Sequence, residues 1–283
     1  MRAKVLGTLM AGVVALAGCG STDVTPAAVP TTAATATTTS TTTTSKASTT
    51  TTEASTTTSV PAVRTEVIGT SVEGRPITVE VLGAPAPHRV LVVGVIHGNE
   101  EAGLDVIDAL RTLGAPPDTE LWLLPALNPD GLAADARQNA NAVDLNRNFP
   151  HNWQPLGQPG DSQYAGTGPA SEPETQAFVA FAERLKPDIT LWYHQDLFRI
   201  SPAEGFEGQV RARYAELTGL PMDTITGGIY TGIAATWQRR TQGGVSFVVE
   251  LGPELAPGEA ARHADAVHQI ADMLAEPGKA EGP

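Results

Sequence analysis

The chain has 283 residues, with 18 basic against 31 acidic side chains and a formal net charge of −13 at pH 7. That surplus argues against a nucleic-acid or anionic-membrane surface. A single cysteine excludes an intramolecular disulfide and any metal site built on paired thiols, so metal ligands must come from His, Asp or Glu.

The first 19 residues, MRAKVLGTLMAGVVALAGC, join a basic start (Arg2, Lys4) to an apolar run from Val5 to Leu16. The run is too short to span a bilayer and reads as an export signal. Its end, Leu16-Ala17-Gly18-Cys19, resembles a bacterial lipobox, which implies removal of the leader and acylation of Cys19. An ordinary signal peptide cleaved nearby is the alternative. Residues 20–63 are rich in Thr and Ser and hold too few large apolar side chains to offset ordering entropy by burial. They are expected to form a disordered tether with a root-mean-square span of about 35 Å and a contour of about 130 Å. These readings place the protein outside the cytoplasm, as a bacterial lipoprotein that meets the membrane through its lipid anchor only.

From residue 64 to residue 277 the composition is that of one folded domain, followed by a short disordered tail, 278–283. Setting aside the three basic and two acidic residues of the first 63 leaves 15 basic against 29 acidic, a net of −14.

Val67-Ile68 and 76-PITVEVLG-83 flank a Gly-containing turn and read as two strands. The continuous apolar run 89-RVLVVGVI-96 suits a strand covered on both faces. Residues 100–114 have apolar positions at helical spacing and stop at Gly114. Another buried strand, 119-TELWLLPAL-127, completes a parallel crossover unit. The stretch 128–170, rich in Asn, Gly, Pro and Asp, is too long for an idle connection and is expected to form functional loops. Ser171 is the expected N-cap of a helix that runs to about Leu185. Then come a strand over 188-DITLWYH-194, a helix around 207–219, a strand over 244–252 and a closing helix over 257–275. The predicted fold is α/β, a mixed and largely parallel twisted sheet flanked by helices. Such sheets collect ligands at the carboxyl ends of their strands.

Three polar groups stand where those strands end: His97 with Glu100, then His194, then Glu250. Taken singly, each could be a satisfied strand-end residue. Together, two imidazoles and a carboxylate suit one zinc ion with an open position, and Glu250 is placed to act as base. There is no HExxH. His263 and His268 are five apart on a helix and do not share a face, and His88 and His151 sit in loops.

The segments 97-HGNE-100, 128-NPDG-131, 144-DLNRNFP-150, 171-SEPET-175, 193-YHQ-195 and 248-VVELG-252 follow one another in an order similar to that of the zinc carboxypeptidases, or funnelin-type metallopeptidases. The resemblance spans about residues 65–275 and is closest to the branch of murein peptide amidases and γ-D-glutamyl-diaminopimelate peptidases. It implies that His97, Glu100 and His194 bind one zinc ion. Glu250 would be general base and then proton donor to the leaving amine. Asn146 and Arg147 would hold the free carboxylate at the end of the substrate, a task suited to the planar guanidinium fork. Asp144 would accept the other ring N–H of His97, and Arg137 would stabilise the developing oxyanion. Tyr230 aligns with a tyrosine that closes over substrate, although 229-IYTGIAATW-237 is shorter than the family segment, so Tyr230 could equally pack in a loop.

No Asp or Glu occurs between Tyr230 and Glu250, which disfavours a pocket for terminal Lys or Arg. Arg239-Arg240 in that segment could read the extra carboxylate of diaminopimelate, or could face solvent. Ile233 and Trp237 keep an apolar pocket open as an option. The expected activity is zinc-dependent hydrolysis of an amide beside a carboxylate-bearing terminal residue, with a peptidoglycan-derived peptide as substrate and γ-D-Glu–diaminopimelate as the bond. The alternatives are a general metallocarboxypeptidase on exported peptides, an N-acyl amino acid deacylase, or a catalytically dead lipoprotein that only binds wall peptides.

Overall fold

The computed structural model describes residues 63–275 except residue 225. The expected signal peptide with Cys19, the tether over 20–63 and the tail over 278–283 therefore lie outside the described residues, apart from residue 63. Six strands form one sheet: β1 (Arg64–Thr70), β2 (Pro76–Leu82), β3 (His88–Val95), β4 (Thr119–Ala126), β5 (Ile189–Gln195) and β6 (Val245–Leu251), in the order β1-β2-β4-β3-β5-β6. β1 and β2 pair antiparallel, as do β2 and β4, whereas β4, β3, β5 and β6 run parallel. The antiparallel hairpin needs only a short turn, and the parallel part needs helical crossovers.

The described residues form six α-helices, α1 (Gly103–Leu113), α2 (Pro129–Ala134), α3 (Pro173–Leu185), α4 (Gly205–Thr218), α5 (Ala234–Gln242) and α6 (Glu259–Asp272), and all but α2 pack on the sheet. Alternation along the strands divides the core into two layers. Val90, Val92, Leu191 and Phe247 face α1, α4 and α6 through Ile107, Tyr214 and Val267. Leu91, Val93, Trp122 and Trp192 face α3 and α5 through Phe178, Phe181 and Trp237. With apolar layers on both sides, the central strands need no polar alternation, and this is why their sequences are continuous apolar runs.

Three local expectations are corrected. α1 begins at Gly103 rather than residue 100, because residues 100–102 form a turn in which the Glu100 N–H donates to the His97 carbonyl (3.1 Å). The N-cap of α3 is Glu172, not Ser171, with Pro173 opening the helix. Trp237 packs against Phe149 and Phe178 in the aromatic layer, with ring centroids 5.4 and 6.2 Å away, and does not line the cleft.

Candidate active site

β3, β5 and β6 are neighbours in the sheet and point the same way. Their carboxyl ends therefore open on one side, and each brings a polar residue there. Parallel register sets His194 directly beside Glu250. His97 follows the end of β3, and the turn after it returns Glu100 toward the same point. That turn rests on α2 so closely that a Cβ at Gly98 would lie 1.9 Å from the Gly131 carbonyl carbon. Glycine is the residue that permits this approach.

His97, Glu100 and His194 are all buried, and one ligand atom from each lies within 4.8 Å of the others. Glu100 uses both oxygens, one 2.9 Å from His97 Nδ1 and one 2.9 Å from His194 Nδ1. The two Nδ1 atoms are 3.1 Å apart. His97 Nε2 meets Asp144 Oδ1 at 3.0 Å, leaving Nδ1 to face the cluster. Burial alone would raise the Glu100 carboxyl, yet hydrogen bonds from His194 and His97 hold it well below the usual carboxylate range. This donor set fits a single zinc ion: two imidazoles and one carboxylate converge on a point, and an outer carboxylate orients one ring.

Around the cluster lies a cleft of about 1310 Å³, lined by His97, Glu100, His194 and Glu250 and by four further residues of the expected site, Arg137, Asn146, Arg147 and Tyr230. Burial first, and the charge of Glu100 second, push the Glu250 carboxyl up to about 7. Its Oε2 is buried without a hydrogen-bond partner. Arg137 forks onto Asp144 Oδ2 (3.1 and 2.9 Å) and reaches Glu100 Oε1 (2.9 Å), which puts its guanidinium on the cluster. Asp144 is fully buried, and its carboxyl stays far below the usual range. Burial raises it, but the charge of His97 and its hydrogen bond, with Arg137 and Arg147 behind, prevail.

Arg147 is buried, donates to the Asn146 carbonyl (2.9 Å) and keeps its Nε without an acceptor. Burial lowers its pKa from the ordinary value. Asn146 is fixed from behind by the start of α5. Its side-chain oxygen accepts from the Ala234 N–H at the start of α5 (3.0 Å), so only its amide nitrogen, 3.4 Å from His194 Nε2, remains for a ligand. The Tyr230 side chain is exposed, and the Arg147 guanidinium stands over its ring at 5.7 Å. The loop behind it is pinned at Gly232, where a Cβ would fall 2.1 Å from the Arg147 carbonyl oxygen.

The cleft is also lined by residues that the strand-end pattern did not single out. Glu207 and Arg211 of α4 line it together with Arg239 of α5. In sequence, Glu207 and Arg211 are an ordinary i, i+4 pair on a helix, and nothing marks them as part of a cleft.

The geometry agrees with the comparisons. A family model described as zinc carboxypeptidase matches residues 49–196, just over half of the chain. The chain belongs to the zinc carboxypeptidase family. It is 32% identical over 186 residues to murein peptide amidase A of Escherichia coli K12, covering 61% of this chain and 75% of that protein. It is 36% identical over 118 residues to human carboxypeptidase Z, covering 31% of this chain and 18% of that protein. Among solved structures, the murein-tripeptide amidase MpaA from Escherichia coli O157 aligns with a TM-score of 0.58 at 27% identity, over 76% of this chain and 93% of that one. Bovine thrombin-activatable fibrinolysis inhibitor aligns with a TM-score of 0.64 at 20% identity, over 76% of this chain and 90% of that one, which speaks for the fold alone. The protein is a hydrolytic enzyme of a family that uses one zinc ion, and the buried His-Glu-His group could hold it.

Proposed function

We propose that this enzyme hydrolyses the γ-D-glutamyl–diaminopimelate amide of peptidoglycan-derived peptides, working outside the cytoplasm from a lipid anchor at Cys19. The carrying observation is the cleft, in which Glu250 stands beside His194 while the buried Arg147 lines the same space. That combination suits an amide whose far residue ends in a free carboxylate. Similarity to a murein peptide amidase supports a wall peptide as substrate, and the export signal and Thr-rich stretch support the location.

In this reading His97, Glu100 and His194 hold the zinc, and Asp144 fixes the His97 ring. When bound, the ion supplies Lewis-acid activation of water and of the scissile carbonyl. Glu250 takes the proton of the attacking water and returns it to the leaving amine. A carboxyl raised toward neutrality is suited to both transfers. Arg137 lies against the cluster, where it can steady negative charge on the carbonyl oxygen. Arg147, with the Asn146 amide, grips the terminal carboxylate, and Tyr230 covers the occupied cleft. A binding protein would need that grip but not the base, so the presence of Glu250 favours an enzyme.

The test is hydrolysis of L-Ala-γ-D-Glu-diaminopimelate and of a peptide with an ordinary α-linked apolar terminus, each with and without chelator. Chelator-sensitive cleavage of the first substrate alone is expected. Cleavage of the second alone would make this a general carboxypeptidase. Cleavage of neither by zinc-loaded protein would favour a deacylase or a binding protein.

A further inference from the structure

The cleft that Arg147 lines also carries a cluster of charges from α4 and α5. Glu207 Oε1 is paired with Arg211 and lies 3.6 Å from Arg239 Nη1. Both guanidinium groups also share the Ser246 carbonyl, Arg239 at 3.0 Å and Arg211 at 3.4 Å. Two cations thus share one carboxylate, and Glu204 and Arg240 line the same cleft. The Arg211 side chain is only 8% exposed and also holds the Ser201 carbonyl (2.7 Å), while its Nε is buried without an acceptor. Burial lowers the Arg211 pKa from its ordinary value, and nearby Arg239 works in the same direction against Glu207. Arg239 is the accessible member, with its side chain 25% exposed on the cleft. A guanidinium that shares its carboxylate with a second one and opens on a cleft keeps donors for an incoming anion.

Position adds to charge. α5 starts at Ala234, tied to Asn146, and reaches Arg239 five residues later. At the helical rise that is about 7–8 Å along the axis. Of the α5 residues between them, Ala235 and Thr236 line the cleft and are small, and the large aromatic Trp237 points into the core. A side chain long enough to cover that distance can place a charged end at Arg239.

Resting on the proposed wall-peptide reading, we infer that Arg239 is a specificity-determining residue that binds a second carboxylate, at the far end of the side chain of the residue released from the substrate. Glu207 lies within reach of an ammonium group on that same end. Diaminopimelate, with a carboxylate and an ammonium on its distal carbon, matches both. Lysine offers the ammonium without the carboxylate. Arg211 is a positioning residue, since it holds Glu207 from behind and ties the Ser201 loop to α4.

The experiment has two arms, run on the zinc-loaded enzyme. Calorimetry measures binding of free meso-diaminopimelate and free lysine. Hydrolysis is followed on two pairs of peptides that differ only in a terminal diaminopimelate or lysine, one pair γ-linked through D-Glu and one α-linked through Gly. The wild type is expected to prefer diaminopimelate in both arms by roughly 10- to 100-fold, the range of a charge-assisted pair. Arg239→Gln should shrink that preference by the same factor. Arg239→Lys, which keeps the charge and loses the fork, should recover part of it. Equal handling of diaminopimelate and lysine by the wild type would overturn the inference without any variant having to fold. An equal loss on both in Arg239→Gln would also overturn it. If only the α-linked pair is cleaved, the wall-peptide reading fails, while the subsite is still judged on that pair and on the calorimetry.

Discussion

His97 Nδ1 and His194 Nδ1 face each other at 3.1 Å, with one oxygen of Glu100 beside each. Two buried ring nitrogens this close, at the ends of strands set side by side, are aimed at a shared point between them. A metal ion there would replace contacts that otherwise force imidazoles together. Chelation is therefore expected to abolish hydrolysis and to lower the melting temperature, because an ion that binds only the folded state stabilises it. His194→Ala should reduce bound zinc from one ion per chain to almost none. Full metal content in that variant would remove His194 from the ligand set.

Glu250 should be separable from metal binding. It lies beside His194 in register but makes no hydrogen bond to the His-Glu-His group, and its Oε2 has no partner. Glu250→Gln keeps shape and removes the proton acceptor. It is expected to retain zinc and substrate affinity while kcat falls by roughly 10²- to 10⁴-fold, the usual worth of a positioned acid or base. Turnover at the wild-type rate would exclude Glu250 as the base.

The sheet was legible in the sequence because both of its faces are buried, so the strands carry uninterrupted apolar runs. The grouping of His97, Glu100 and His194 was legible for a related reason, since parallel neighbours end on one side. The start of α1 was misplaced because the residues at 100–102 fit a helical pattern but turn so that Glu100 can reach the histidines. α5 was hidden. Its sequence, AATWQRRTQ, is short and holds one large apolar side chain, Trp237, which packs against Phe149 and Phe178 far away in the chain. Glu207 and Arg211 were hidden for the opposite reason. Their i, i+4 spacing has a complete local explanation, and only the packing of α4 beside β6 makes them part of the cleft.

Asn139 is expected to be a stability hot spot for the loop that carries Arg137, Asp144, Asn146 and Arg147. Its amide nitrogen donates to Glu172 (2.8 Å) and to Glu174 (3.0 Å), both buried carboxylates. Its oxygen accepts from the backbone of Asn141 and Val143, each at 3.1 Å. Burial already pushes the Glu174 carboxyl above its ordinary value. Asn139→Ala would leave both carboxylates without their shared donor, at a cost of about 3 kcal/mol. For a domain of this size the melting temperature should fall by roughly 6–12 °C. A variant that melts with the wild type would show that Glu172 and Glu174 find other partners without loss.

His263 should make the fold sensitive to mild acid. It is fully buried behind β5, with Nδ1 2.7 Å from the Tyr214 hydroxyl, which in turn lies 2.7 Å from that of Tyr193. Burial pushes its pKa down to about 4, against the pull of Glu259, whose carboxylate is 3.7 Å from Nε2, and with the help of Arg262. Between about 4 and the unfolded value of about 6.5 the unfolded chain binds a proton that the folded chain refuses, so stability rises with pH across that window. The stabilisation is complete above about 6.5 and is lost as the pH falls toward 4. One such group contributes at most about 1.4 kcal/mol per pH unit to the slope. Urea unfolding of wild type and His263→Gln at several pH values from 7.5 to 4.5 isolates this part, because the other titrating groups are common to both. The wild type is expected to lose stability more steeply over this range. Parallel curves would mean that His263 titrates alike in the folded and unfolded chains, and a wild type that gains stability toward acid would mean that it is held protonated by Glu259.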